Sequence, residues 1–294
     1  MDKVLDDINL CYGCGSCFNK CPKMAITMRP SELGFLYPKI DATKYAEHFA
    51  HNGFELENVF GIHCNHASLQ EIKSLGYRKA NHWTEFLRKT PFVKKTIYNN
   101  ESYTYDERVL TLDGYYVEGY WQSERYFSDI REKINSVYQF PDFSTEQQRM
   151  YAIEMENNLS VSVHVRRGDY LNYPYLQNIC TEEYYKKAMS YFREKYNGKV
   201  QFYIFTNDLV WAERHFTEKD CCFVKGNEGM ESFRDMQLMT RCKHNIVANS
   251  SFSWWGAWLN QNLNKIVIAP EKWINASDSE KIDIIPDGWI KMKG

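Results

Sequence analysis

Charged side chains follow an apolar segment near the middle of the chain. That segment ends at Val165, and the residues after it include an arginine pair and a carboxylate: Arg166, Arg167 and Asp169. Two adjacent guanidinium groups suit a diphosphate, because each can bind phosphate oxygens through two parallel hydrogen bonds. Gly168 lets the backbone turn sharply beside them. The spacing therefore predicts a diphosphate site, with a surface arginine pair neutralised by Asp169 as the alternative.

A serine-rich turn follows a second apolar segment. That segment ends at Ala248, and the hydroxyl side chains of Ser250, Ser251 and Ser253 come next. The free backbone N–H groups at the start of a helix, together with hydroxyl groups, form an anion site. The turn is therefore a second candidate for binding phosphate.

Three further polar residues are expected close to these two candidate phosphate sites. Asn207 and Asp208 follow the strand predicted at residues 200–206, and Asp235 lies on the helix predicted at residues 230–241. For each of them, a turn or an exposed helix position is the alternative to ligand binding. Together with the arginine pair they indicate a nucleoside diphosphate pocket. The sequence contains no Asp-x-Asp pair, so we expect the arginines, rather than a divalent metal, to stabilise the departing diphosphate.

The elements that must position these residues alternate between strand and helix from residue 159 onward. Apolar and polar residues alternate at 159–165, which is typical of a strand. Further strands are predicted at 200–206, 222–224, 244–248 and 265–269, and helices at 182–196, 210–216, 230–241 and 253–262. Thr181 is the predicted N-cap of the first helix. This alternation predicts an α/β fold with a doubly wound parallel sheet, whose ligands bind at the carboxyl ends of its strands.

The first half of the chain has weaker patterns. Near-helical spacing of apolar residues predicts a long helix over residues 121–137, and residues 146–155 are predicted to be a helix or a linker. Residues 103–116 have a strand-like pattern that ends at a turn.

Length and charge exclude several classes of protein. The 294 residues correspond to about two domains. The formal net charge of −2 excludes a bulk polycation that binds nucleic acid. We find no apolar run approaching the roughly 20 residues that span a bilayer, and the first residues lack the pattern of a secretory signal. We therefore expect a cytoplasmic protein.

Four of the nine cysteines lie close together near the start of the sequence. Cys11, Cys14, Cys17 and Cys21 are followed by a proline, and this C-x2-C-x2-C-x3-C-P run resembles that of bacterial ferredoxins. The resemblance implies thiolate ligands for a 4Fe–4S cluster. No second run is present to complete a two-cluster arrangement, so the fourth ligand of a single cluster would have to be Cys21 or, alternatively, Cys64. Zinc bound to the thiolates and an unoccupied remnant therefore remain as alternatives.

Several motifs together resemble the bacterial α1,2-fucosyltransferases of glycosyltransferase family 11. They lie at residues 51–62, 119–127, 164–170, 202–208 and 235–259. The resemblance implies a GT-B-like, two-domain α/β fold with a Rossmann-like C-terminal domain. It also implies inverting, metal-independent transfer of L-fucose from GDP-β-L-fucose to the 2-hydroxyl of a terminal galactose in a glycan.

The resemblance also implies roles for individual residues. Arg166 would hold the β-phosphate, with Arg167, Asn207 and Asp208 as further donor-binding candidates. His164 and Asp235 would meet guanine. The family pattern does not identify the general base, and Asp169 is our candidate for it. The phosphates would be met by the serine hydroxyl groups of Ser250, Ser251 and Ser253.

The start of the chain departs from the family pattern. The family begins with a strand and a glycine-rich loop, whereas residues 1–38 here resemble a ferredoxin. We therefore predict a ferredoxin-like segment at 1–38, a truncated acceptor-side α/β domain at 39–155 and a GDP-sugar-binding domain at 156–294. Two other classes remain open: a nucleotide-sugar-binding protein with impaired catalysis, and an iron–sulfur electron-transfer or redox-sensing protein. Peripheral association with glycan assembly at the inner membrane is a further expectation.

Overall fold

Residues 26–30, 36–40, 55–62, 71, 97–100, 103–276 and 282–294 are described by a computed structural model. The chain divides into two compact units. One comprises Met1–Leu69 and Asn227–Ser232, and the other comprises Gln70–Gly226 and Phe233–Gly294.

The first unit contains few described elements. They are an antiparallel pair of strands, β1 (Ile26–Pro30) and β2 (Leu36–Ile40), the short helix α1 (Glu55–Phe60) and a 3-10 turn at Gly229–Glu231. The four clustered cysteines lie outside the described residues. Their role as metal ligands therefore stays a prediction.

The second unit begins with short elements that precede the main sheet. They are the parallel strands β3 (Ile97–Asn100) and β4 (Tyr116–Gly119), 3-10 turns at Glu107–Thr111, Glu124–Tyr126 and Ser128–Ile130, and the helices α2 (Arg131–Val137) and α3 (Glu146–Asn157). A capping box of Thr145 and Gln148 begins α3.

Two of the predictions for this region were wrong. The helix predicted at 121–137 begins only at Arg131, because the non-helical backbone of Phe127 (φ −148°, ψ 13°) interrupts it. The Phe127 ring stacks on Trp255 with 5.5 Å between ring centres, so packing with a distant element overrides the local pattern. The strand-like segment at 103–116 instead contains the turn Glu107–Thr111, which begins where Asp106 accepts a hydrogen bond from the Arg108 N–H.

Six parallel strands form the main sheet, which confirms the α/β fold class and the parallel sheet. Its strands are β5 (Ser160–Val165), β6 (Gln201–Thr206), β7 (Cys221–Phe223), β8 (His244–Ile246), β9 (Val267–Pro270) and β10 (Ile290–Met292). Its helices are α4 (Glu182–Lys195), α5 (Leu209–His215), α6 (Phe233–Met239) and α7 (Ser251–Trp258). Thr181 caps α4 as predicted.

Helices cover both faces of this sheet. Phe202 and Ile204 of β6 pack in a core with α4 and α5. Tyr203 and Phe205 of the same strand pack in a separate core with α3 and α6. Since successive side chains of a strand point to opposite faces, the two cores lie on opposite sides of the sheet. The fold is therefore doubly wound.

The strand order is β10-β9-β8-β5-β6-β7. Chain order runs outward from β5 in one direction and from β8 in the other, which is the order of a Rossmann fold. The direction reverses between β5 and β8, and we call this position the switch point. The pairing of β5 with β8 ends at Val163 and Ile246, whereas β5 stays paired with β6 as far as Val165 and Thr206. In open α/β sheets, ligands bind outside the carboxyl ends of the strands at such a point.

Candidate functional site

The arginine turn, residues 166–168, follows β5 directly. It is locked to the end of β6 by Asn207, whose side-chain Oδ1 accepts a hydrogen bond of 2.9 Å from the backbone N–H of Arg167. The amide of Asn207 also fills the space beside Gly168, where a Cβ atom would lie 2.5 Å from Nδ2. The absence of a side chain at Gly168 therefore lets Asn207 pack closely against the arginine turn.

Arg167 is held against the start of α5. Its guanidinium carbon lies 4.2 Å from the centre of the Trp211 ring, and its Nε lies 3.5 Å from Oδ2 of Asp208. Asp208 is itself fixed, because it caps α5 by accepting a hydrogen bond of 3.1 Å from the Trp211 N–H. The positive charge of Arg167 is therefore already engaged by α5.

Arg166 is half-buried, and its guanidinium carbon lies 5.3 Å from the centre of the Tyr170 ring. The neighbouring residue Asp169 is placed in a 3-10 turn, Gly168–Asn172. The side chain of Asp169 lies outside the part of the structure that can be described, so its role as a general base stays a prediction.

His164 is buried near the carboxyl end of β5, with 5% of its surface exposed. Its Nδ1 atom has no hydrogen-bond partner among the described residues. The ring centre lies 5.6 Å from that of Phe252 in α7. Burial, and secondarily the charge of Arg166, lowers the pKa of His164 to about 3. His164 is therefore a neutral imidazole with an unused polar atom beside the switch point.

The serine turn, residues 248–253, follows β8 and leads into α7. Ser253 is buried, and its hydroxyl closes the turn by accepting from the Ala248 N–H at 3.2 Å and donating to the Ser250 carbonyl at 3.3 Å. Ser250 occupies the N-cap position, but its side chain makes no capping hydrogen bond. Ser251 is exposed on the first turn of α7. The Ser253 hydroxyl thus stabilises the turn itself. Ser250 and Ser251 are therefore better candidates than Ser253 for contact with a ligand.

Asn249 connects the serine turn to two neighbouring segments of the chain. Its buried amide nitrogen donates to the carbonyls of Leu176 and Trp273, at 3.2 Å each. Asp235 is half-buried on α6, next to Arg234. The Arg234 guanidinium is buried and donates to the Pro141 carbonyl at 2.8 Å. The Asn249 contacts hold the serine turn in place, and the Arg234 contact holds α6, which precedes β8.

The structure thus places most of the predicted donor-binding residues at the carboxyl ends of neighbouring strands. The arginine turn, Asn207 and Asp208 follow β5 and β6, and the serine turn follows β8. Sequence reasoning missed Trp211, although its position three residues after the cap Asp208 is a usable signal.

In the described part of the chain, no group of three or more His, Cys, Asp or Glu side chains could hold a metal ion. The same residues contain no helix long and apolar enough to cross a membrane.

A Rossmann-type sheet with charged and hydroxylic turns at its switch point defines an α/β protein whose candidate ligand site lies at the carboxyl ends of its strands. The chain belongs to glycosyl transferase family 11, whose model matches residues 82–293. It is therefore a glycosyltransferase.

Several known glycosyltransferases are similar to the chain. An alpha-1,2-colitosyltransferase of Escherichia coli is 30% identical over 265 residues, covering 87% of this chain and 88% of the relative. The O-antigen biosynthesis glycosyltransferase WbnK of Escherichia coli is 34% identical over 193 residues, 63% of each chain. A galactoside alpha-(1,2)-fucosyltransferase 2 of Pongo pygmaeus is 26% identical over 52% of this chain and 48% of its own.

Among solved structures, fucosyltransferase NodZ from Bradyrhizobium is 14% identical, with a TM-score of 0.32 over 82% of this chain and 79% of that chain.

Proposed function

We propose that the protein transfers L-fucose from GDP-β-L-fucose to the 2-hydroxyl of a terminal galactose in a glycan, with inversion and without a divalent metal. The observation that carries this proposal is the placement of the arginine turn and the serine turn on either side of the switch point. Cationic side chains and free hydroxyl groups at this edge suit a nucleoside diphosphate. The 1,2-linkage is supported by the names of the colitosyltransferase and fucosyltransferase relatives.

Each side chain then has a distinct task. Arg166 binds the β-phosphate and stabilises the negative charge that develops on the departing GDP. Ser250, Ser251 and the first N–H groups of α7 bind phosphate oxygens from the other side. His164 offers its unpaired Nδ1 to the guanine base, together with Asp235 on α6. Asp169 accepts the proton of the attacking hydroxyl.

A colitose donor is the second candidate. It is favoured by an alpha-1,2-colitosyltransferase that is 30% identical to this chain in an alignment covering 87% of it. The choice between fucose and colitose would depend on residues that contact the donor sugar, rather than on those that bind the diphosphate.

The decisive experiment incubates the purified protein with GDP-fucose and lactose, measures GDP release, and assigns the product linkage by NMR. We expect an α1,2-linked fucosyl product that forms equally well in EDTA. The proposal fails if GDP-fucose is not consumed while an activated colitose donor is. The metal-free mechanism fails if EDTA stops transfer and Mg²⁺ or Mn²⁺ restores it.

The N-terminal cysteine run supports a separate proposal, which rests on spacing alone. Cys11, Cys14, Cys17 and Cys21 would hold a 4Fe–4S cluster that is separable from the transferase body. Anaerobic purification followed by iron and sulfide analysis tests this. We expect that a variant combining Cys14→Ser and Cys17→Ser loses iron but keeps its GDP affinity. Loss of GDP affinity together with iron would contradict separability.

The relationship to an O-antigen biosynthesis glycosyltransferase supports a further inference about location. The protein would act in the cytoplasm, associated peripherally with glycan assembly at the inner membrane. Cell fractionation in low and high salt tests this inference, and recovery in the soluble fraction at every salt concentration would contradict it.

A further inference from the structure

Two adjacent tyrosines at the start of α4 have no part in the proposed chemistry. Tyr184 and Tyr185 are completely buried, and their rings meet at 66° with 5.0 Å between centres. Each hydroxyl group donates to a backbone carbonyl of the main sheet. Tyr185 donates to His164 at 3.1 Å. Tyr184 donates to Val247 at 2.7 Å and also lies 3.3 Å from the Ile268 carbonyl of β9.

The two acceptor residues have a specific position in the sheet. Val163 and Ile246 are the last registered pair between β5 and β8. His164 and Val247 are the next residue on each strand. Tyr185 thus contacts the end of β5, and Tyr184 contacts the residue that follows β8, on the side of β9. The pair therefore spans the place where β5 and β8 separate.

We propose that Tyr184 and Tyr185 are positioning residues that set the separation of the arginine turn and the serine turn, and therefore the affinity for a nucleoside diphosphate. The ligand class rests on the proposed function, whereas the positioning role rests on the two hydrogen bonds. One residue separates His164 from Arg166, and two separate Val247 from Ser250. A displacement of either carbonyl is therefore passed directly to a phosphate-binding turn.

The chemistry of the pair suits this role. Burial raises the pKa of both phenols, so both hydroxyls stay protonated and keep donating. Cys180, just before α4, adds a second link on the side of the serine turn, because its Sγ lies 3.5 Å from Oδ1 of Asn249. A buried carbonyl that loses its donor can regain a partner only if the backbone shifts.

The test uses Tyr184→Phe and Tyr185→Phe, which remove one hydroxyl each and leave the ring. Tyr203→Phe is the matched control, because Tyr203 is 1% exposed on β6 and is hydrogen-bonded to Asn158, in the core with α3 and α6. We expect all three variants to lose similar stability. Only the α4 variants should also bind GDP several-fold more weakly, because only they release a carbonyl next to a phosphate-binding turn.

Hydrogen exchange measured by mass spectrometry provides a readout that does not need nucleotide. Exchange should accelerate at residues 165–168 in Tyr185→Phe, at residues 248–251 in Tyr184→Phe, and at neither in Tyr203→Phe. Unchanged exchange at both turns would overturn the positioning role, as would a loss of GDP affinity in Tyr203→Phe equal to that in the α4 variants. Local changes in exchange in a protein that binds no GDP would support the positioning role and overturn the proposed function.

Discussion

The guanidinium group of Arg167 lies against α5, 4.2 Å from the centre of the Trp211 ring. The Asp208 carboxylate lies 3.5 Å from its Nε atom. A cation held over an indole ring and beside a carboxylate is stabilised where it is. The two adjacent arginines therefore differ in the roles we assign to them: Arg167 fixes the turn, and Arg166 binds the diphosphate.

This difference predicts unequal effects of removing each arginine. We expect Arg166→Ala to weaken GDP binding by about 1.5–3 kcal/mol, the value of a charge-assisted hydrogen bond. Arg167→Ala should have a smaller effect, because only the position of the turn changes. Calorimetric titration with GDP checks both. Arg241→Ala, which removes an exposed arginine paired with Glu156, is the control for loss of charge. Equal losses in the Arg166 and Arg167 variants would contradict the assignment.

A side chain at position 168 should displace Asn207 from the arginine turn. In Gly168→Ala the new Cβ would lie 2.5 Å from Asn207 Nδ2, so Asn207 must move and release the Arg167 N–H. We expect a several-fold rise in the KM for the donor and a loss of stability of about 1 kcal/mol. In an Asn207→Ala background the same change should add little, since neighbouring sites are not additive.

Gly288→Ala is the matched control for this prediction, because among the described residues no heavy atom beyond its own chain neighbours lies within 4 Å of the added Cβ. Additive effects of the changes at 168 and 207 would show that the two turns do not interlock.

Acid should destabilise the protein through His244. The Nδ1 atom accepts from the Ile266 N–H at 3.0 Å, and Nε2 lies 2.8 Å from the Tyr196 hydroxyl. Burial, with smaller contributions from Lys195 and Lys243, lowers the pKa of His244 from 6.5 to about 4. The unfolded chain therefore binds more protons between these values. The stabilisation is complete above pH 6.5 and is lost as the pH falls toward 4.

Urea unfolding at several pH values checks this prediction. We expect roughly 1–3 kcal/mol less stability at pH 4.5 than at pH 7.5 from this group. His244→Gln should be less stable at neutral pH but should show a smaller decrease in acid. An unchanged slope in His244→Gln would rule out His244 as the source.

Lys265 should be important for the stability of α7. Its ammonium group donates to three carbonyls at the end of that helix, those of Ala257, Trp258 and Asn260, at 2.7, 3.2 and 2.7 Å. A positive charge at this end also complements the helix dipole. We expect Lys265→Met to lower the free energy of unfolding by about 1–3 kcal/mol.

Lys225→Met is the corresponding control, since Lys225 forms an exposed ion pair with Glu213 at 2.8 Å. Such pairs contribute about 0–1 kcal/mol. Equal destabilisation by the two changes in chemical denaturation would contradict the capping role of Lys265.

The strands and helices of the main sheet could be predicted because each has a strong local signal. The alternation at 159–165 and the cap Thr181 are examples, and the boundaries differ from prediction by a few residues. The edge strand Ile290–Met292 was missed because, unlike the equally short strands β7 and β8, it does not follow a predicted helix. The helix at 121–137 failed because Phe127 packs against Trp255, far along the chain.

The candidate site, like the fold, could be predicted only in part from the sequence. Residue types at the strand ends indicated a phosphate pocket. They could not show which arginine is held by α5, because that depends on the position of Trp211 in the fold. Nor could they show that Ser253 closes its own turn. The tyrosines at 184 and 185 resemble ordinary core residues in the sequence, and their relation to the switch point exists only in the folded sheet.

The separation along the chain between β5 and β8 has a consequence for folding. The side chains of Ser162 and Asn245 share a hydrogen bond across 83 residues of sequence, and β6, α5, β7 and α6 all lie between them. Contacts between such distant residues form late and slowly, because the intervening chain must first be ordered. We expect the capacity to bind nucleotide to appear in the last phase of refolding, after most helical structure has returned. Nucleotide binding would thus report on completion of the native state.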